Sequence, residues 1–390
     1  MAESDGGGDS SATQSVADAA DCKIDFTDQR QHDPVKIKVK VPHKTFCYFE
    51  QFTKSFTAFK KRFPLKGTGY TTEDQKHLFD ALQCVFKQPH RQSKKGKYVI
   101  LTETYSQAKN GFPGRLCSTG IQGMLCAIRS NFLSETADLD MKNAQPRCIS
   151  WVCKYFANIS TPCLDDYIAN TDDRRKQIAG EEKTIQPEAK RLPIMAYNSE
   201  KPLRCKGDYM KQFDKEAKEV QKKLIAISEL QWLLPFCNET NKAGSFISRL
   251  YNFIECKLLL RVYKMLRDEF GLKVAALIFD GLNVADKSKH GDQGILNRAR
   301  DVCEEVCPGI NMEWAWKELD FVLKNNKKEP LTNPDESYKE LRVPDDFKPP
   351  KCGGGDSGGG LLDPSTEPGY EQLRSEFSLG LGGRDRKSVV

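Results

Sequence analysis

Six apolar residues in succession, Val274-Ala275-Ala276-Leu277-Ile278-Phe279, end abruptly at Asp280-Gly281. A run this short, closed by a glycine, reads as a buried strand that turns at Gly281, with Leu282 to Val284 as the returning strand. That puts a carboxylate at the exit of a buried strand, where ionisation is costly unless something positive meets it. A second carboxylate in the same predicament is Asp140. It closes Ala137-Asp138-Leu139-Asp140, read as the end of a short strand, and a helix over Pro146 to Phe156 comes after it. Asp138 shares the face of Asp140 because strand side chains alternate. It reads as either a third carboxylate or a solvated neighbour.

A hard divalent cation would meet both aspartates. Magnesium prefers one or two carboxylates plus substrate phosphates. Two such strands side by side make the simplest site for two-metal phosphoryl transfer, in which one metal activates the attacking 3′ oxygen and the other holds the triphosphate. Asp-Gly is also an ordinary hairpin turn. On these aspartates alone both readings stand.

The rest of the chain bounds the choice. Its 390 residues suffice for two or three lobes, and 38% hydrophobic with 29% charged residues is the balance of a globular protein. The net charge of +6 permits nucleic-acid binding without requiring it. No apolar run approaches the roughly 20 residues of a membrane helix, and the N-terminus lacks the basic-then-apolar pattern of a secretory signal, so an intracellular protein without membrane contact is expected. The 14 cysteines are scattered through apolar stretches and read as reduced, buried thiols. Cys303 and Cys307 lie one helical turn apart, but two ligands do not make a zinc site.

Residues 1–30 read as a disordered extension, and the Gly-rich segment 346–390 as a flexible tail. Residues 31–110 read as a small basic, thumb-like lobe. Lys36, Lys38 and Lys40 alternate with valine and isoleucine as in a strand, and Tyr48, Phe49, Phe52, Phe56 and Phe59 recur at helical spacing among lysines. That helix presents either a solvated basic face or a surface for a phosphate backbone. A second basic loop holds Arg91, Lys94, Lys95 and Lys97, and His90 reads as a surface histidine. Helices over 208–234, 241–269 and 291–306 and a strand at 312–316 complete an α+β pattern, its core at 111–345.

The segment before Asp140 reads Gly114-Arg115-Leu116-Cys117-Ser118, then Gln122, then Arg129 and Phe132. It resembles the run leading into motif A of family A DNA polymerases, where Gly-Arg-Leu-Ser-Ser, Asn-Leu-Gln and Arg-x-x-Phe precede the catalytic aspartate in the same order. The resemblance spans residues 111–285. It implies a polymerase palm with an antiparallel sheet and reduced helical fingers, and it implies that Arg115, Gln122 and Arg129 contact the primer-template backbone, as arginine forks suit phosphate oxygens. Asp140 is followed at the fifth and sixth positions by Gln145 and Pro146. This looks like a divergent motif A of the kind found in viruses and mobile elements, with Gln145 as the steric gate against a ribose 2′-hydroxyl.

The later motifs depart further. For motif B the resemblance implies Lys190 as the residue that meets the triphosphate, with Arg191 and Tyr197 beside it. Gln186 stands where the family has arginine, Tyr197 comes one residue early, and Pro193 should kink or end the helix. A solvated basic turn is the plain alternative for Lys190 and Arg191. Motif C keeps its aspartate as Asp280, but Gly281 replaces the family's glutamate. Upstream, Ser248, Arg249, Asn252 and Glu255 form one polar helical stripe. It reads as template-contacting, with Glu255 in the place of the family's glutamine, or as a surface salt-bridged face.

The resemblance thus implies a template-directed DNA polymerase without a proofreading exonuclease. It would use two magnesium ions, replaceable by manganese, at Asp140 and Asp280, with Lys190 as the third catalytic residue. Its partners would be a DNA primer-template, dNTPs and other replication proteins, and it would act as a monomer. Two alternatives stand beside it. Asp138-Leu139-Asp140 mimics the metal motif of archaeo-eukaryotic primase-polymerases, although the histidine that fold wants, His290, lies beyond Asp280. The lost motif B arginine and motif C glutamate would suit an inactive, nucleic-acid-binding relic.

Overall fold

The computed structural model describes residues 24, 26, 33–63, 70–107, 111–118, 120–325, 329–332, 337 and 339–350. The expected N-terminal extension and Gly-rich tail fall almost wholly outside them.

The chain begins with β1 (Val35–Pro42), whose buried Ile37, Val39 and Val41 alternate with exposed lysines. The aromatic stretch after it is two helices, α1 (His43–Glu50) and α2 (Phe56–Arg62), where the sequence suggested one. Ser55 makes the break: extended itself, it accepts a hydrogen bond from the Ala58 amide and caps α2. Then come α3 (Thr72–Lys87), started by a Thr71/Asp74 capping box, and strands β2 (His90–Gln92) and β3 (Tyr98–Tyr105). The three strands form an antiparallel sheet in the order β1-β3-β2.

This sheet and its helices share a core with the rest of the chain. The Leu277 amide donates to the Tyr105 hydroxyl at 3.2 Å, and the Phe49 and Phe132 rings lie 5.6 Å apart.

The second part runs through α4 (Cys126–Phe132), β4 (Ala137–Lys142) and α5 (Ala144–Ala157). A helical block comes next: α6 (Pro162–Ala169), α7 (Thr171–Glu182), α8 (Gln186–Asn198), α9 (Asp208–Ile225) and the long α10 (Lys242–Asp268). The chain then forms the hairpin β5 (Val274–Ile278) and β6 (Gly281–Val284), α11 (Gln293–Val306) and β7 (Glu313–Lys317). These four strands make an antiparallel sheet ordered β5-β6-β4-β7. The fold is α+β, as the element pattern predicts, and its sheets are antiparallel, as expected from the resemblance.

Three local expectations are corrected. Asp140 lies inside β4 and not at its end, because β7 pairs with β4 as far as Lys142↔Glu313 and carries the strand onward. Pro193 does not break α8. Ala189, Pro193, Ala196 and Tyr197 form one buried face, and that packing outweighs the lost backbone hydrogen bond. The helix expected over 208–234 stops at Ile225, and a tighter helix at Ser228–Phe236 succeeds it, whose buried Leu230 and Leu233 suit a three-residue turn. None of the described helices is long and apolar enough to cross a membrane.

Candidate functional site

The four-stranded sheet turns one face to the core and the other to a cleft of about 650 Å³. On β4, Ala137, Leu139 and Met141 are buried on the core side, so alternation sends Asp138 and Asp140 to the cleft. Cross-strand register fixes their neighbours. Asp138 lies between Asn283 of β6 and Lys317 of β7, and Asp140 lies between Gly281 and Ala315. The aspartate row therefore has the two smallest flanks available, which leaves room above Asp140. Gly281 is required there, since a Cβ on it would sit 2.6 Å from Asp140 Oδ1 and 2.8 Å from the Leu139 carbonyl.

Asp280 joins this group through the backbone. Ile278 pairs with Gly281, so Phe279 and Asp280 form a two-residue turn, and the Met141 amide donates to the Asp280 carbonyl at 3.1 Å. The two aspartates foreseen as metal ligands thus stand in β4 and in the β5–β6 turn, and both line the cleft. Phe279 takes a left-handed backbone with φ of 57°, which costs a bulky residue about 1–3 kcal/mol. What holds it lies behind the turn. The Arg115 guanidinium packs over the Phe279 ring at 5.3 Å and is itself gripped by Glu255 of α10 at 2.6 Å. Glu255 is 1% exposed. Burial pushes its carboxyl up to about 7 against the pull of Arg115, and Asp280 pushes it further.

Positive charge surrounds the aspartates. The Lys317 ammonium bonds Asp140 Oδ2 directly. Partial burial draws the Lys317 ammonium below its usual range, and Asp138 opposes this. Burial raises the Asp138 carboxyl, while Lys317 and Arg129 lower it and Asp280 raises it. Lys190 is solvent-exposed on α8 and outside the cleft lining, and its ammonium is drawn down by partial burial and by Arg175, against the pull of Asp280, with Lys324 adding to the fall. Lys190 is therefore within electrostatic reach of Asp280.

The other foreseen residues divide. Arg129 lines the cleft and donates to the Gln122 and Met124 carbonyls. Gln145 is half-buried in the first turn of α5. Arg191 is exposed and pairs with Glu188 at 3.0 Å along its own helix.

The remaining residues are tied elsewhere. Gln122 is buried and spans the Leu116 and Leu277 carbonyls, each at 3.2 Å. Arg115 and Glu255 pair with each other. Arg249 packs over Phe112 at 5.0 Å and donates to the Phe236 carbonyl, and Asn252 reaches Ser248 at 3.5 Å. Tyr197 is fully buried against Phe213, at 5.8 Å between rings. In this state these side chains brace the walls and do not line the cleft.

The sequence reading missed Lys317, Asn283 and the segment after β7. Residues 317–320 and 322–325 all line the cleft. The segment is held by backbone bonds from Leu323 to the Lys339 carbonyl and from Leu341 to the Phe321 carbonyl, and by Ser130, which donates to the Asp320 carbonyl. The one available signal was the alternation Trp314-Ala315-Trp316-Lys317, which predicts that Lys317 shares a face with Ala315. Nothing in it gives the register against β4.

The described cysteines are free thiols, with Cys303 and Cys307 both buried. His290 pairs with Glu318 at 3.4 Å and does not line the cleft. Among the described residues no group of three or more histidines, cysteines or carboxylates is arranged to hold a metal ion.

No protein-family model matches the chain, and no curated protein does. Among solved structures it is similar to the POL domain of Pol1 from M. smegmatis, determined in complex with DNA primer-template and dNTP. The TM-score is 0.44 at 13% identity, over 72% of this chain and 67% of that one.

Proposed function

We propose that the chain is a template-directed DNA polymerase that adds deoxynucleotides to a primer 3′ end. The observation that carries this reading is that Asp140 of β4 and Asp280 of the β5–β6 turn line one cleft, joined by the Met141–Asp280 backbone bond, with Gly281 and Ala315 keeping the space above Asp140 open. The ordered run from Gly114 to Arg129, which resembles the approach to motif A of family A polymerases, supports it.

The residues fit a divalent cation. A carboxylate of β4 and one of the β5–β6 turn line one cleft, and an ammonium already stands as a cation on Asp140. Asp140 and Asp280 would hold magnesium, which when bound activates a primer 3′ oxygen and neutralises the triphosphate. The chain's own groups do the rest. Lys190, its pKa drawn down, would neutralise and protonate the departing pyrophosphate. Arg129 would hold a backbone phosphate at the cleft wall, and Gln145 would crowd the sugar. Arg115, Gln122 and Glu255 are best assigned to holding the Phe279–Asp280 turn and the end of β5.

Primer extension with magnesium and all four dNTPs tests the reading, using wild type, Asp140→Ala and Asp280→Ala. Extension by wild type alone is expected. A folded wild type that extends nothing sinks the activity, and extension surviving Asp280→Ala sinks the site.

A further inference from the structure

Lys317 has no part in the chemistry proposed above, yet its ammonium sits on the most important carboxylate of the cleft. It reaches Asp140 diagonally. Its own cross-strand partner is Asp138, so Asp138, Asp140 and Lys317 form a triangle on one sheet face. Asp140 is nearly buried, with its side chain 12% exposed, whereas 52% of the Lys317 side chain remains in solvent. The two partners therefore differ in freedom. Asp140 is fixed in β4, and Lys317, at the last position of β7, has a flexible four-carbon stem that can swing away.

A buried carboxylate pair without a cation is expensive. An ammonium and a divalent cation cannot both occupy the same carboxylate oxygen, and they repel each other at that distance.

We infer that Lys317 is a built-in counter-ion: it holds Asp140 when no divalent cation is present, and it must leave Asp140, turning toward Asp138, for the cation to bind. The inference rests on the proposed metal site and deepens it. It gives Asp138 a role as the carboxylate that receives the displaced ammonium. The segment that carries Lys317 is also held against α4 by the Ser130–Asp320 bond, so a cation arriving at Asp140 would be felt at the cleft wall.

Titration of the full chain with Mn²⁺, followed by electron paramagnetic resonance, tests this without any activity measurement. The proteins are wild type, Asp140→Asn, the uncharged variants Lys317→Met and Lys317→Gln, and the charge-keeping Lys317→Arg. Asp140-dependent binding is expected in wild type, about tenfold tighter or more in the two uncharged variants, with Lys317→Arg close to wild type. Thermal melts of the same proteins give a second readout. Mn²⁺ should raise the melting temperature more in Lys317→Met than in wild type, where one cation merely replaces another. Equal affinity in wild type and a folded uncharged variant, or weaker binding in that variant, overturns the counter-ion role and leaves the metal site standing. No Asp140-dependent binding in any protein overturns the metal site and the counter-ion with it.

Discussion

Two clusters of charge lie on either side of the Phe279–Asp280 turn, and they are built differently. On the cleft side, Asp138 and Asp140 of β4 and Lys317 of β7 open onto free volume, with Lys190 of α8 within electrostatic reach. On the core side, Arg115 and Glu255 close on each other at 2.6 Å, with a Glu255 oxygen and the Arg115 Nε left without partners. The first arrangement keeps its charges available to a ligand, and the second spends them on geometry. Residue type does not separate the two, because both are Asp or Glu met by Lys or Arg. Access to solvent does.

The comparison breaks first on the cleft side. Asp140→Asn and Asp280→Asn should each cut primer extension by about three orders of magnitude or more, while their urea-unfolding midpoints stay near wild type, since Asp280→Asn relieves carboxylate crowding and the Lys317 ammonium left by Asp140→Asn still faces Asp138. A loss of activity matched by a loss of fold would place these aspartates with the structural cluster instead.

The core side should behave in the opposite way. Glu255→Ala or Arg115→Ala leaves a buried partner uncompensated, a change worth about 3–5 kcal/mol in urea denaturation. The pair also predicts a pH dependence. The unfolded chain ionises Glu255 in the ordinary glutamate range and the folded chain only near pH 7. Between those limits the folded state holds the extra proton, so this group's contribution to stability falls as pH rises through the window and is level above it. Glu255→Gln should flatten that slope, as chemical denaturation from pH 5 to pH 8 would reveal. An unchanged slope means that Glu255 ionises as a solvated acid.

Gly281 couples the clusters. Replacing it with alanine pushes on Asp140 Oδ1 and the Leu139 carbonyl, an overpacking worth about 1–3 kcal/mol. Extension should fall by more than that stability loss explains, because the strain lands on a carboxylate proposed to hold the cation. Wild-type extension in a Gly281→Ala protein would show that Asp140 tolerates displacement.

Much of the fold was legible because it rests on local periodicity. The apolar run at 274–279, the alternation at 35–41 and the amphipathic stretch at 241–269 each carry their period within a few residues. Asp140 and Asp280 were legible for the same reason, as carboxylates set against apolar strands. What stayed hidden depends on register and on which side of a wall a side chain lands. By resemblance Arg115, Gln122 and Glu255 would face a primer-template, but α10 packs behind the turn and not over the cleft, so Glu255 meets Arg115. Lys317 lies 177 residues from its partner. Only the pairing of β7 with β4 brings them together, and nothing local encodes that pairing.

The smallest effect is expected at a pair of neighbours on one helix. Lys190 and Arg191 are adjacent in sequence, and the helical rotation between them separates their surroundings. Lys190 feels Asp280, Arg175 and Lys324, whereas Arg191 pairs only along the helix with Glu188, both partly solvated. Exposed pairs at this spacing contribute about 0.2–0.5 kcal/mol, so Arg191→Ala should change unfolding free energy by no more than that and leave steady-state extension within about twofold. Lys190→Ala should lower kcat by about tenfold to a hundredfold with little change in stability. Steady-state kinetics of the two variants separates a triphosphate-facing lysine from a solvated basic turn. Equal, small losses for both would make Lys190 a solvated basic residue without a role and leave the aspartates without a cationic partner for the leaving group.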